Sequence, residues 1–164
     1  MSVEGTDRIA FRFARSEIAA LLKLMNAASL PEIELIAAEP DEHTESSLVE
    51  GGVVMPCGEH TFVDGTVAVV LQNVLESRRS LCADSEKGRL ALYRGAQMCV
   101  LVEESGPALV TLEPFQDLKA AQRPFFKAVG TLGVESKLTL RQEGEEMQGG
   151  TGTLSEMYAR LEGE

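Results

Sequence analysis

Arg89-Leu90-Ala91-Leu92-Tyr93-Arg94-Gly95-Ala96-Gln97-Met98-Cys99-Val100-Leu101-Val102-Glu103-Glu104-Ser105-Gly106-Pro107-Ala108-Leu109-Val110-Thr111-Leu112-Glu113 is a run of short apolar segments broken by turn residues. Arg89–Tyr93 reads as a strand, and Arg94-Gly95-Ala96 as the turn that follows. Gln97–Glu103 reads as a second strand, Glu104-Ser105-Gly106-Pro107 as a second turn, and Ala108–Glu113 as a third strand. Strands joined by so few residues have no room for a crossover, so they pair antiparallel. An antiparallel meander flanked by helical patterns places the chain in the α+β class.

N-terminal to the meander, Arg8–Phe13 reads as a short strand with Ile9, Phe11 and Phe13 on one face. Ser16 is a candidate helix cap, and Ile18, Leu21, Leu22 and Met25 recur at helical spacing before Asn26 and Pro31 end the pattern. Residues 31–50 carry seven carboxylates and no Lys or Arg, and Glu39–Ser47 reads as an exposed acidic loop. Gly51-Gly52 is a turn into a short apolar segment. Asp64 then caps the strongest helix signal, in which Val67, Val70, Leu71, Val74 and Leu75 form the stripe, with closure from Glu76 to about Ser80.

C-terminal to the meander, Pro114 suits a first helical turn, while Pro124 predicts a kink or two short helices. Residues 134–141 alternate Val134, Ser136, Leu138 and Leu140 against Glu135, Lys137, Thr139 and Arg141, an edge or terminal strand. Beyond Gln142 the glycines of Gly149-Gly150-Thr151-Gly152-Thr153 read as a flexible linker. Leu154, Met157, Tyr158 and Leu161 then trace a short amphipathic helix. The expected organisation is an α+β domain over 1–142, an antiparallel sheet packed against two to three helices. A glycine-linked C-terminal short helix occupies 143–164.

The 164 residues include 26 Asp+Glu and 15 Lys+Arg, a formal net charge of −11. That balance lacks the basic footprint nucleic acid requires and gives no hold on anionic lipid. No stretch approaches the roughly 20 apolar residues of a membrane span, and residues 1–7 have no signal-peptide pattern. The expectation is a cytoplasmic protein without membrane insertion. Cys57, Cys82 and Cys99 form no CxxC pair, and Cys99 sits in an apolar run as a buried thiol.

Chemistry is sparse. Cys57 and His60 have the C-x-x-H spacing of half a metal site, but His43 is the only other histidine. No G-x-S-x-G, P-loop or dinucleotide fingerprint occurs. The expectation is therefore no metal and no cofactor. An enzyme or small-ligand protein would place its pocket near Cys57, Glu59 and His60. An adaptor would use apolar side chains, and Phe125, Phe126, Met157, Tyr158 and Leu161 are the candidate protein-binding residues.

The order of elements carries a further indication. Phe11-Arg12-Phe13-Ala14-Arg15-Ser16-Glu17-Ile18-Ala19-Ala20-Leu21-Leu22-Lys23-Leu24-Met25 is followed by Leu30-Pro31. A glycine-bearing segment from Gly51 then leads to a helix with Asp64, Ala68 and Leu71, followed by the strands at 89–113 and a helix after Pro114. Over residues 7–130 this resembles one half of the EspG family of ESX (type VII) secretion-associated proteins. The resemblance implies a cytosolic chaperone that recognises secreted helical PE–PPE partners. Family members carry two such units in a chain nearly twice as long, so the resemblance implies a homodimer here. The leading expectation is a non-enzymatic adaptor, chaperone-like and dimeric, with a protein client.

Overall fold

The meander is one strand longer than its apolar pattern indicates. The computed structural model describes residues 9–27, 42–105 and 109–163. Their order is β1 (Phe11–Ala14), α1 (Arg15–Leu24), α2 (Glu42–Glu50), β2 (Val54–Cys57), β3 (His60–Val63), α3 (Gly65–Leu75) and β4 (Arg79–Ser85). Then come β5 (Gly88–Arg94), β6 (Cys99–Ser105), β7 (Leu109–Phe115), α4 (Leu118–Leu132), β8 (Lys137–Gln142), β9 (Glu145–Gly150) and α5 (Leu154–Glu162). Seven strands make one sheet in the order β1-β7-β6-β5-β4-β8-β9, antiparallel throughout, and β2–β3 is a separate hairpin. The α+β class holds.

Strand alternation divides the core in two. On one face Phe13, Val110, Leu112, Val100, Val102, Ala91, Tyr93 and Cys82 are buried with Ile18, Leu21 and Leu22 of α1 and the stripe Val67, Val70, Leu71 and Val74 of α3. On the other, Leu81, Ala83, Leu90, Leu92, Cys99, Leu101, Leu138 and Leu140 are buried with α4 and α5. The two helical layers are offset. α1 packs on β1 and β7, and α3 on β5 and β6, whereas α5 packs on β4 and β8. Strands β5 and β6 are dry on both sides, which is why they read as continuous apolar runs.

Local chemistry sets the helix starts. The Asp64 carboxylate accepts from the N–H groups of Thr66 and Val67, at 3.1 and 3.2 Å, so α3 is capped where its sequence indicates. α1 begins one residue before Ser16. Ala14 is its boundary residue, and the Glu17 carboxylate reaches back to the Ala14 N–H at 2.7 Å. Glu17 also accepts from the Ser47 hydroxyl at 2.9 Å, joining α1 to α2.

Several expectations are corrected. Residues 42–47, expected as acidic loop, form the opening turns of α2, held by burial of Thr44 and Leu48 one turn apart; residues 39–41 and Leu30-Pro31 lie outside the described residues, as does the Gly106-Pro107 turn. Arg79 and Ser80, expected to close a helix, open β4 instead. Pro114 stands in β7 opposite Val100, past Leu112, where the β1 register ends, so its missing N–H breaks no bond to β1. Pro124 lies inside an unbroken α4. Burying Leu118, Phe125, Val129 and Leu132 on the sheet, about 1.5–3 kcal/mol each, outweighs a cost of about 3 kcal/mol for an interior proline.

The strand expected at 134–141 begins only at Lys137 and lies between β4 and β9, not at an edge. Val134 is 86% exposed in the preceding turn, while Leu138 and Leu140 face the core. The expected linker glycines Gly149 and Gly150 belong to β9, which pairs with β8 along its whole length. A Cβ on Gly149 would fall 2.4 Å from Thr153 Oγ1 and 2.9 Å from Met157 Sδ, so this glycine lets α5 close against the strand.

Candidate protein-binding surface

The five side chains singled out for partner binding are brought together, but by each other. Phe125, Met157, Tyr158 and Leu161 are buried and Phe126 is half-buried. The Tyr158 ring lies 5.8 Å from that of Phe125 and 5.2 Å, edge-on, from that of Phe126. Its hydroxyl donates to the main-chain oxygen of Leu118. At the other end of α5, Arg94 donates to the carbonyls of Leu161 and Gly163, both at 2.9 Å, and Arg79 also donates to Gly163. Gln142 donates to the Arg160 carbonyl at 2.7 Å. Two guanidinium groups thus satisfy the open carbonyls and the negative end of the helix dipole. In this conformation the cluster seats α5, and only Phe126 retains exposed surface.

Cys57, Glu59 and His60 sit at the tip of the β2–β3 hairpin, where Cys57 faces His60 across the two-residue turn Gly58-Glu59. Gly58 has φ +66, the left-handed value such a turn needs. All three are exposed. Behind the tip, Met55 and Phe62 are paired across the hairpin and exposed by 67% and 57%. His43 is exposed on α2. Among the described residues no group of three His, Cys, Asp or Glu stands close enough to hold a metal ion.

Among the described residues, the offset of the helical layers leaves the α1/α3 face of β8 and β9 open. Lys137, Thr139 and Arg141 of β8 lie in register with Gly150, Gln148 and Glu146 of β9, and none of these six is buried. Arg141 donates to Glu146 at 2.6 Å. Beside them is a groove of about 400 Å³ lined by Ser77, Arg78, Ser80, Tyr93, Arg141, Glu143 and Gly144. Its lining is made of hydroxyl groups, two guanidinium groups and a carboxylate, a set of hydrogen-bonding and charged groups suited to recognition. Sequence reasoning missed this surface. Its one visible signal was Arg78-Arg79, the only adjacent basic pair, of which Arg78 lines the groove and Arg79 caps α5.

Two titration shifts fall in the core. Burial pushes the Cys99 thiol from an ordinary 9.0 up to about 11, and burial likewise raises the Tyr158 phenol. Both groups stay protonated at neutral pH. The Cys99 thiol is therefore an inert packing group, as its apolar run indicates.

No protein-family model and no curated protein matches the chain. No helix among the described residues is long and apolar enough to cross a membrane. Among solved structures, the chain is similar to EspG5, the Mycobacterium tuberculosis type VII secretion system chaperone, solved in complex with a PE25–PPE41 dimer. The TM-score is 0.52 at 13% identity, over 74% of this chain. The match spans 52% of the EspG5 chain, about half its length. At this identity the likeness is one of fold, a distant structural resemblance to a type VII secretion chaperone.

Proposed function

We propose that this chain is a non-enzymatic adaptor of the secretion-chaperone kind, cytoplasmic, working as a homodimer that holds a helical protein client. The observation that carries the reading is the fold shared with EspG5, a chaperone captured with a protein partner. The open polar face of β8 and β9 with its arginine-lined groove supports recognition of a protein surface. Light scattering after size exclusion, over a range of concentrations, tests the dimer. The expected mass is twice 17.7 kDa, persisting on dilution. Affinity purification from the native cell is expected to recover a helical protein in stoichiometric amount. A monomer at every concentration, with no stoichiometric partner, overturns the reading.

A further inference from the structure

We propose that β9 is the edge through which two copies join, its strand running antiparallel to the partner's β9 with Gln148 facing the partner's Gln148 at the two-fold axis. This rests on the homodimer reading above and names the surface that makes it.

The hydrogen-bonding direction comes from the β8–β9 turn. Glu143 and Gly144 have φ +51 and +90, a two-residue hairpin turn with both central residues left-handed. Gln142 and Glu145 close it and exchange main-chain bonds. Every second residue thereafter, Met147 and Gly149, also points its N–H and C=O toward β8. Glu146, Gln148 and Gly150 point theirs outward, along the edge where the seven-stranded order of the described residues stops. An edge of this kind is a template for another strand.

The side chains fit a second copy in one register. A two-fold axis normal to the sheet keeps each face continuous, so opposed residues must belong to the same face. Centring on Gln148 sets Glu146 against the partner's Gly150 and Met147 against the partner's Gly149. The outward groups of Glu146, Gln148 and Gly150 then all find main-chain partners. No glutamate meets a glutamate, although the strand carries two.

Charge complementarity selects the same arrangement. Gly150 is in register with Lys137 of β8, which is exposed. Glu146 therefore looks across a residue without a side chain toward the partner's Lys137, two strands away. That is about 10 Å between backbones, a gap that Glu and Lys side chains together close. On its other side Glu146 already holds Arg141. Each half of the joint would read, on this one face, Arg141, Glu146, the partner's Gly150, the partner's Lys137. The opposite edge is a weaker template, since β1 has four residues against six in β9, and centring it on Arg12 opposes two arginines. The joint would also set the two open faces of β8 and β9 side by side, doubling the candidate client surface.

Cross-linking in the full chain tests the edge. In a Cys57→Ser background, Gln148→Cys places two thiols on a hydrogen-bonded pair with Cα atoms about 5.5 Å apart, inside the disulfide range. Mild oxidation is expected to give a disulfide-linked dimer at least tenfold faster than Glu59→Cys on the other hairpin. Gln148→Pro removes an outward N–H without touching the β8 ladder, and is expected to give a monomer with cooperative unfolding retained. If Gln148→Pro does not fold, the cross-linking rate decides alone. A dimer that neither cross-links through Gln148→Cys nor dissociates in a folded Gln148→Pro overturns the edge and leaves the homodimer reading intact. A Cys57→Ser chain that is monomeric at all concentrations overturns both.

Discussion

Tyr158, near the middle of the last helix, donates its hydroxyl proton to the main-chain oxygen of Leu118 in the first turn of α4. The bond is buried and joins residues 40 positions apart, so it fixes where α5 lies along α4. Tyr158→Phe keeps the ring contacts with Phe125 and Phe126 and removes only this bond. The expected loss is about 0.5–1.5 kcal/mol, read from the urea midpoint of the full chain. No change would mean that ring packing alone sets the helix.

Deleting residues 151–164 removes Met157, Tyr158 and Leu161 from the core. Each buries fully, at about 1.5–3 kcal/mol per side chain. Against a domain stability of about 5–15 kcal/mol, that loss is decisive. The truncated chain is expected to lose its cooperative thermal transition. The glycine-rich shift after Gln142 instead suggests that residues 143–164 as a whole are an appendage that could be removed harmlessly. A sharp transition at the native temperature would restore that view.

Asp64→Ala leaves the Thr66 and Val67 N–H groups without their carboxylate acceptor. The expected cost is about 1 kcal/mol. Asp64→Ser, which keeps an acceptor, is expected to recover most of it in the same denaturation series.

Alkaline pH is expected to weaken the fold through Cys99. Its folded pKa, about 11, lies above the ordinary 9.0 of an exposed thiol. The folded chain therefore keeps a proton that the unfolded chain releases, and stability present below pH 9 is lost as pH rises toward 11. Tyr158, raised in the same direction, extends the loss further into alkali. Urea midpoints at pH 8 and pH 10.5 are expected to separate in the native chain, and to separate less in Cys99→Ala.

What the sequence disclosed and what it hid divide along physical lines. Where one face is dry and the other wet, periodicity shows through. The stripe Val67, Val70, Leu71 and Val74, the stripe Ile18, Leu21 and Leu22, and the alternation around Leu138 and Leu140 all lie where they read. Strand β4 was hidden because Ser80, Leu81, Cys82 and Ala83 are buried on both faces and mix small polar with apolar side chains. Strand β9 was hidden because an edge strand is held by its main chain, so its side chains need show no pattern. Helix α2 buries only Thr44 and Leu48, too few to make a stripe. The candidate surface on β8 and β9 was hidden for a related reason. Arg78 and Arg141 are 63 positions apart, and only the pairing of β4 with β8 brings their neighbourhoods together.

The two offset helical layers have a kinetic consequence. Each layer seals a different face, and β4, β5 and β6 are sealed from both sides along most of their length. Loosening of α1–α3 therefore wets one side of β5 and β6, and loosening of α4 and α5 wets the other, while either event leaves those strands half-covered. Amide protons in Leu81–Ala83, Leu90–Tyr93 and Val100–Val102 should outlast those of the other described residues in exchange with deuterated solvent, since releasing them requires both layers to open together. The chain thus has two separate doors onto a single vault, and either door can swing aside without surrender of the fold.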